Sequence, residues 1–72
     1  MKGNWYVGIH YRGGAPHYHV MHGVVESTAR RHYRSWVKYG DGNPSVGMVT
    51  LFEGLPYDGE KSRQVTSTVW SR

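Results

Sequence analysis

The pattern that most constrains this fold is the alternation of side chains over residues 5–12, which ends at two adjacent glycines. The alternating sets are Trp5, Val7, Ile9 and Tyr11 on one side, and Tyr6, Gly8, His10 and Arg12 on the other. A period of two is typical of a half-buried β-strand. Gly13-Gly14 predicts a two-residue turn, so the first 25 residues are predicted to form a β-hairpin.

The turn also predicts which residues pair across the hairpin. Pairing outward from Gly13-Gly14 places Ile9 opposite Tyr18 and Trp5 opposite His22. Because side chains alternate between the faces of a sheet, one face is expected to collect Trp5, Val7, Ile9, Tyr18 and Val20. The other is expected to collect Tyr6, His10, His17, His19 and Met21. A one-residue slip would exchange the two faces.

A helix is predicted over residues 28–39, between Ser27 as N-cap and Gly40 as the residue that ends it. Its apolar side chains recur at helical spacing: Ala29, Tyr33, Trp36, Val37 and Gly40. The opposite side is polar and basic: Arg30, Arg31, Arg34, Ser35 and Lys38. The apolar stripe is expected to pack on the apolar face of the hairpin, since nothing else in the chain could cover it.

The remaining chain predicts two more strands. Together with the hairpin strands over 4–12 and 17–25, these lie over 45–53 and 63–70, and a loop over 54–60 separates the last two. At 72 residues the chain is expected to be a single domain, 1–72. The predicted fold class is α+β: a small, four-stranded, mainly antiparallel sheet with one helix packed on one face, in the order β-β-α-β-β.

A single helix covers only one face of a sheet, so the other face must meet solvent or a partner. Strand three is apolar on both sides. If Val49 and Leu51 lie under the helix, Met48 and Phe52 point away from it, as does Val46. In strand four, Val65 and Val69 are expected under the helix and Trp70 on the open side. The predicted protein interface on the open face is therefore Tyr6, Met21, Met48, Phe52 and Trp70, a composition typical of interface cores.

The predicted hairpin brings three histidines together, His10, His17 and His19. Opposed strand positions lie close enough for imidazoles to share a metal ion. No carboxylate is near in sequence, however, and His22 falls on the opposite face. A solvated strand face, a polar part of an interface or a pH-sensitive surface are the alternatives, and no cofactor is predicted. The chain contains no cysteine, which excludes disulfides and thiolate zinc sites.

Positive charge is concentrated in the first half of the chain. Residues 1–40 contain six Lys or Arg and a single acidic residue, whereas residues 41–72 contain three basic and four acidic residues. The predicted basic patch is Arg30, Arg31, Arg34 and Lys38. It is either an ordinary solvated helix face or a contact surface for phosphates or an acidic protein groove. Neither a helix-turn-helix pair nor the aromatic strand motif of RNA-recognition domains is present.

No nucleophile motif and no acid–base pair of carboxylates is found, so the protein is not expected to be an enzyme. The leading hypothesis is a small non-catalytic binding protein of the inhibitor or adaptor type, a kind frequent among phage and mobile-element accessory proteins. It would engage a host protein or its own copy, as a homo-oligomer, through the open sheet face, with the basic helix face assisting. The alternative is a nucleic-acid-binding protein that uses the Arg-rich helix. Neither a signal peptide nor a membrane-spanning run is evident, which favours a cytoplasmic location.

Overall fold

The fold contains four strands and one helix in the predicted order. A computed structural model describes residues 1–57 and 62–72. The elements are β1 (Gly3–Tyr11), β2 (His17–Val24), α1 (Glu26–Asp41), β3 (Val46–Glu53) and β4 (Arg63–Val69). The α+β prediction is confirmed. Of the predicted loop over 54–60, residues 58–60 lie outside the described part of the chain.

The four strands form one open antiparallel sheet in the order β2-β1-β3-β4. Because β2 and β3 are both antiparallel to β1, they run in the same direction. The helix α1 connects them across one face and leaves β1 between them, a split β-α-β arrangement. The strands β2 and β4 are therefore the edges of the sheet.

The core lies between α1 and the sheet. Its fully buried members come from the two central strands and the helix: Val7, Ile9, Ala29, Val46, Val49 and Leu51. Tyr33, Trp36 and Val37 of the helix pack against this cluster while remaining partly exposed. The predicted apolar stripe of the helix is therefore confirmed, because helical periodicity places all of these side chains on one side.

Both helix ends differ from the prediction. The helix begins at Glu26, with Val25 at the N-cap and no side-chain cap. The prediction that Ser27 is the N-cap is therefore wrong. Gly40 does not end the helix, which continues to Asp41 with Gly42 at the C-cap. Gly40 is buried against Trp70, and a Cβ atom there would collide with the indole Cη2. The glycine is explained by this close approach rather than by a helix-ending conformation.

The register of the hairpin is shifted by one residue from the prediction. Trp5 pairs with Met21, Val7 with His19 and Ile9 with His17. Beyond Ile9, β1 has no further pair with β2 and continues to pair only with β3; the Arg12 amide then donates to the Ser45 carbonyl at 2.7 Å. The predicted two-residue turn at Gly13-Gly14 does not form; instead the Gly14 amide donates to the Tyr11 carbonyl at 3.4 Å.

The shifted register exchanges the faces of β2 but not of β1. His17, His19 and Met21 lie on the helix side, whereas Tyr18 and Val20 lie on the other. Met21 is 6% exposed and belongs to the core, while Tyr18, expected in the core, is 45% exposed. The predicted face assignments of these five β2 residues are therefore wrong. That of His22 is wrong as well, because alternation from Met21 places it on the side away from the helix.

Two β-bulges place three further side chains on the face of the sheet opposite to the one predicted. A shift between His10 and Tyr11 brings Val46 into the core. A shift between Leu51 and Phe52 places Val69 opposite Met48, on the side away from the helix, where it is 65% exposed. Trp70 packs on the helix side, and its indole N–H donates to the Asp41 carboxylate at 2.8 Å. The predictions for Val46, Val69 and Trp70 were wrong because a bulge interrupts simple alternation.

Candidate binding surfaces

The sheet surface opposite α1, here called the open face, is the first candidate site. The strand registers place the following side chains on it: Tyr6, Gly8, His10, Tyr18, Val20, Met48, Thr50, Phe52, Gln64, Ser67 and Val69; alternation from Met21 adds His22. None of these residues is Lys, Arg, Asp or Glu. The described open face is thus aromatic, aliphatic, hydroxylic and, at Gln64, amidic. It carries no formal charge while its two histidines are neutral.

Three aromatic rings form the centre of the open face. Tyr6 and Phe52 stack with centroids 4.5 Å apart and planes 9° apart, and Tyr18 meets Tyr6 edge-on at 5.7 Å. The Tyr6 hydroxyl donates to Ser62 Oγ at 3.3 Å. As a result Tyr6 is only 5% exposed, and Tyr18 is the ring most accessible to a partner.

Beside the aromatic cluster, Gly8 and Thr50 pair directly across β1 and β3. A Cβ atom at Gly8 would lie 3.3 Å from Phe52 and 3.4 Å from both His10 Nε2 and Tyr18. The rings therefore close over the glycine. Thr50 is 1% exposed, and its hydroxyl has no hydrogen-bond partner among the described residues. The centre of this face is a tightly packed second layer rather than an open groove.

The predicted interface set is only partly assembled on this face. Tyr6, Met48 and Phe52 lie there as expected, whereas Met21 and Trp70 lie on the helix side. Sequence reasoning missed Tyr18, Val20 and Val69. The one-residue shift of the hairpin register places the first two on this face, and the bulge in the pairing of β3 with β4 places Val69 there.

The three histidines proposed as metal ligands are separated by the sheet. His10 lies on the open face, and His17 and His19 lie on the helix side. Within residues 1–57 and 62–72, no three His, Asp or Glu side chains are placed to hold a metal ion. The three histidines that were considered as candidate metal ligands are therefore not brought together.

A different histidine pair is formed instead, between β2 and α1. His19 Nε2 and His32 Nδ1 are hydrogen-bonded at 3.3 Å, and the two rings stack with centroids 5.3 Å apart. Trp36 packs against His19 at 5.8 Å and against His17 at 6.0 Å. Sequence reasoning missed His32, although it lies four residues before Trp36 and so on the same side of the helix.

The environment of this pair favours the neutral form of His19. Burial lowers the pKa of His19 below its usual value, and repulsion from the neighbouring imidazoles of His32 and then His17 lowers it further. An N–H···N bond between two imidazoles also requires that one of them accept, which a protonated ring cannot do. At neutral pH, His19 therefore keeps a lone pair available.

The second candidate surface is the basic face of α1, comprising Arg30, Arg31, Arg34 and Lys38. Arg31, Arg34 and Lys38 are exposed, and helical spacing places them opposite the stripe that contacts the sheet. Arg30 forms an ion pair with Glu26 at 2.7 Å; among the described residues, the other three make no ion pair. The basic face and the open face therefore lie on opposite sides of the molecule.

Comparison with protein-family models, with curated proteins and with solved structures found no match to this chain. Over the described residues, no helix combines the length and the apolar character needed to cross a membrane. The functional inference therefore depends on the chemistry of the two surfaces. They differ sharply, since one is uncharged and apolar and the other is cationic.

Proposed function

We propose that this protein is a non-catalytic protein-binding module of the adaptor type, and that its open face binds a second copy of the chain. The observation that carries the proposal is that, among the described residues, no charged side chain lies on this apolar and aromatic sheet face, in a chain of net charge +4. Interface cores are depleted of charge and enriched in Tyr, Phe and Met. Contiguous apolar patches of this kind typically mark interaction sites.

The composition of the open face favours a protein over a nucleic acid as its occupant. Binding to nucleic acids depends on Lys and Arg contacts to phosphates, and the open face offers none among its described residues. Tyr18 and Val69 instead present exposed apolar surface near the two sheet edges. Partly exposed Met48 and Phe52 lie between them. A second sheet packed face to face would bury all four.

The charge distribution favours a second copy as that protein. Two chains of net charge +4 repel each other, but their open faces contribute nothing to the repulsion. In a face-to-face dimer both basic faces point outward. With layers packed about 10 Å apart, the two helices would lie about 30 Å from each other, well beyond the Debye length of about 8 Å at physiological salt. Two-fold dimers are also the most frequent oligomers.

Sedimentation velocity over a concentration series tests the proposal. The wild-type chain should sediment as a dimer, whereas Val69→Glu and Met48→Glu should sediment as monomers, because each buries a carboxylate in the interface. Phe52 is a poor choice for this test since it supports Tyr6 by stacking. Ser35→Glu is the matched control: it adds the same charge to the exposed side of α1 and should leave the dimer intact.

Circular dichroism and thermal unfolding of each variant establish that the fold survives. A wild-type chain that remains monomeric at several hundred micromolar would refute the proposal. Dimerisation that persists equally in Val69→Glu and Met48→Glu would also refute it, since the interface would then lie elsewhere.

Nucleic-acid binding by the basic face is the second candidate function. It is favoured by one observation, the three exposed cations Arg31, Arg34 and Lys38 that make no ion pair within the described residues. Because α1 begins at Glu26, these side chains lie beyond its first turn, where the helix dipole opposes cations little. The candidate predicts retention of labelled duplex DNA or RNA at low salt, measured by fluorescence anisotropy.

Reversal of charge in Arg31→Glu/Arg34→Glu should then abolish binding. Arg63→Glu reverses an exposed arginine outside the helix and should have a much smaller effect. Absence of retention by the wild-type chain at low salt would exclude this candidate. The two functions are distinguishable, because the open-face variants leave the basic face unchanged.

A further inference from the structure

The contact between His19 and His32 has the dimensions of a metal-binding pair. The nitrogens that face each other, Nε2 of His19 and Nδ1 of His32, are 3.3 Å apart. Two nitrogens bound to one tetrahedral zinc ion, each about 2.0–2.1 Å from the metal, lie about 3.3–3.4 Å from each other. The separation therefore requires no approach or retreat of the two elements for both rings to bind one ion.

We propose that His19 and His32 together bind one divalent transition-metal ion of the zinc, nickel and copper group, and that the ion ties α1 to the edge strand β2. Imidazole nitrogen is a preferred ligand of these ions and not of calcium or magnesium. The two side chains are partly exposed, so water can complete the coordination. This site is different from the separated trio of His10, His17 and His19.

The surroundings of His19 suit this role. Metal ligation requires neutral imidazoles, and the surroundings of His19 favour that form. In the metal-free pair, one ring donates its N–H to the other. On binding, that ring would shift its proton to its other nitrogen, so both facing lone pairs become available and no net proton needs to leave. Trp36, packed against His19, limits the freedom of this ring.

The position of the pair indicates what the ion would do for the fold. A chain of 72 residues without cysteine has a modest core, and small domains often acquire a metal or a partner as an additional constraint. An edge strand lacks a neighbour on one side. A metal bridge from α1 would fix β2 to the body of the domain, and binding to the folded state alone would stabilise the protein.

Isothermal titration calorimetry with zinc chloride or copper chloride alone, followed by thermal unfolding with each ion, tests the proposal. The wild-type chain should bind one ion per chain with micromolar affinity and unfold at a higher temperature in its presence. His19→Ala and His32→Gln should each weaken binding at least tenfold and abolish the thermal shift. His10→Ala and His22→Ala are the matched controls, because both remove an imidazole from the opposite face, and both should bind as the wild type does.

Magnesium chloride should produce neither heat nor a thermal shift, as expected for imidazole ligands. Unfolding in EDTA shows whether each variant folds, and His32→Gln keeps a side chain able to hydrogen-bond if His19→Ala does not fold. Three results would overturn the proposal. The first is that the wild-type chain binds neither zinc nor copper up to millimolar concentration. The other two are that His32→Gln binds metal as tightly as the wild type, or that His10→Ala loses as much metal affinity as His19→Ala. None of these results depends on whether the open face forms a dimer.

Discussion

The contact between Gly40 and Trp70 sets, at the scale of single residues, how closely the end of α1 approaches the sheet. The indole is held in place by its N–H donated to Asp41 and by the Arg72 guanidinium 4.9 Å above its ring. A glycine inside a helix is ordinarily unfavourable by about 0.5–1 kcal/mol relative to alanine. Its presence here is explained by a ring that leaves no space for a Cβ atom.

Gly40→Ala should therefore destabilise the protein, contrary to its effect at an exposed helical site. The methyl group would displace Trp70, and overpacking of this kind costs about 1–3 kcal/mol. Urea unfolding measures the change. Gly42→Ala is the control, since its Cβ would meet its nearest neighbour at 3.8 Å and should change stability by less than about 1 kcal/mol. A Gly40→Ala variant as stable as the wild type would show that the indole moves aside freely.

Two threonines on neighbouring strands differ in whether their hydroxyls are satisfied. Thr68 Oγ1 and the Tyr33 hydroxyl are 2.7 Å apart, whereas the buried Thr50 hydroxyl has no partner among the described residues. Thr50→Val should therefore raise the free energy of unfolding by about 1 kcal/mol, and Thr68→Val should lower it by a similar amount. Denaturant unfolding of the two variants checks this. A loss of stability in Thr50→Val would mean that its hydroxyl is bonded after all.

At the scale of elements, the junction of α1 with β2 should weaken in acid. The pKa of His19 is lowered in the folded state, while in the unfolded chain it is about 6.5. Above that value His19 is neutral in both states and stability is complete. As the pH falls below about 6.5 the unfolded chain takes up the proton first, so the free energy of unfolding decreases.

Urea unfolding between pH 5 and pH 8 in EDTA measures this decrease. His19→Gln should flatten the dependence, whereas His22→Gln, on the open face, should retain it. A wild-type chain equally stable at pH 5 and pH 8 would contradict the assignment.

The same junction shows how far the sequence alone could lead. The helix was predictable because its apolar stripe has a period that no strand could share, and the element order followed from the turn residues. The sequence could not predict which β2 side chains face the helix, because this strand carries apolar side chains on both sides. A one-residue shift at the turn exchanges the two faces of the strand. The partner of His19 lies 13 residues away on another element, and a local pattern does not reveal such a contact. The bulges that redirect Val46 and Val69 likewise arise from strand pairing rather than from composition.

At the scale of the whole molecule, charge and apolar surface are segregated to opposite sides. The helix buries its apolar stripe and thereby turns the basic face outward, while the sheet turns its uncharged face the other way. One flat partner cannot contact both surfaces. The expectation that the basic helix assists binding at the open face stays a prediction; in the proposed dimer the two surfaces would act independently.

This segregation predicts opposite responses of the two surfaces to salt. Between 0.1 M and 1 M NaCl the Debye length falls from about 10 Å to about 3 Å. The dimer should persist or strengthen, because its interface contains no ion pairs to screen and the repulsion between two chains of net charge +4 is reduced. Any binding of polyanions to Arg31, Arg34 and Lys38 should instead fall steeply, since it depends on counterion release.

Sedimentation at the two salt concentrations measures the response of the dimer, and fluorescence anisotropy measures the response of polyanion binding. A dimer that dissociates as salt increases would be held by charged groups, which the open face does not supply among its described residues.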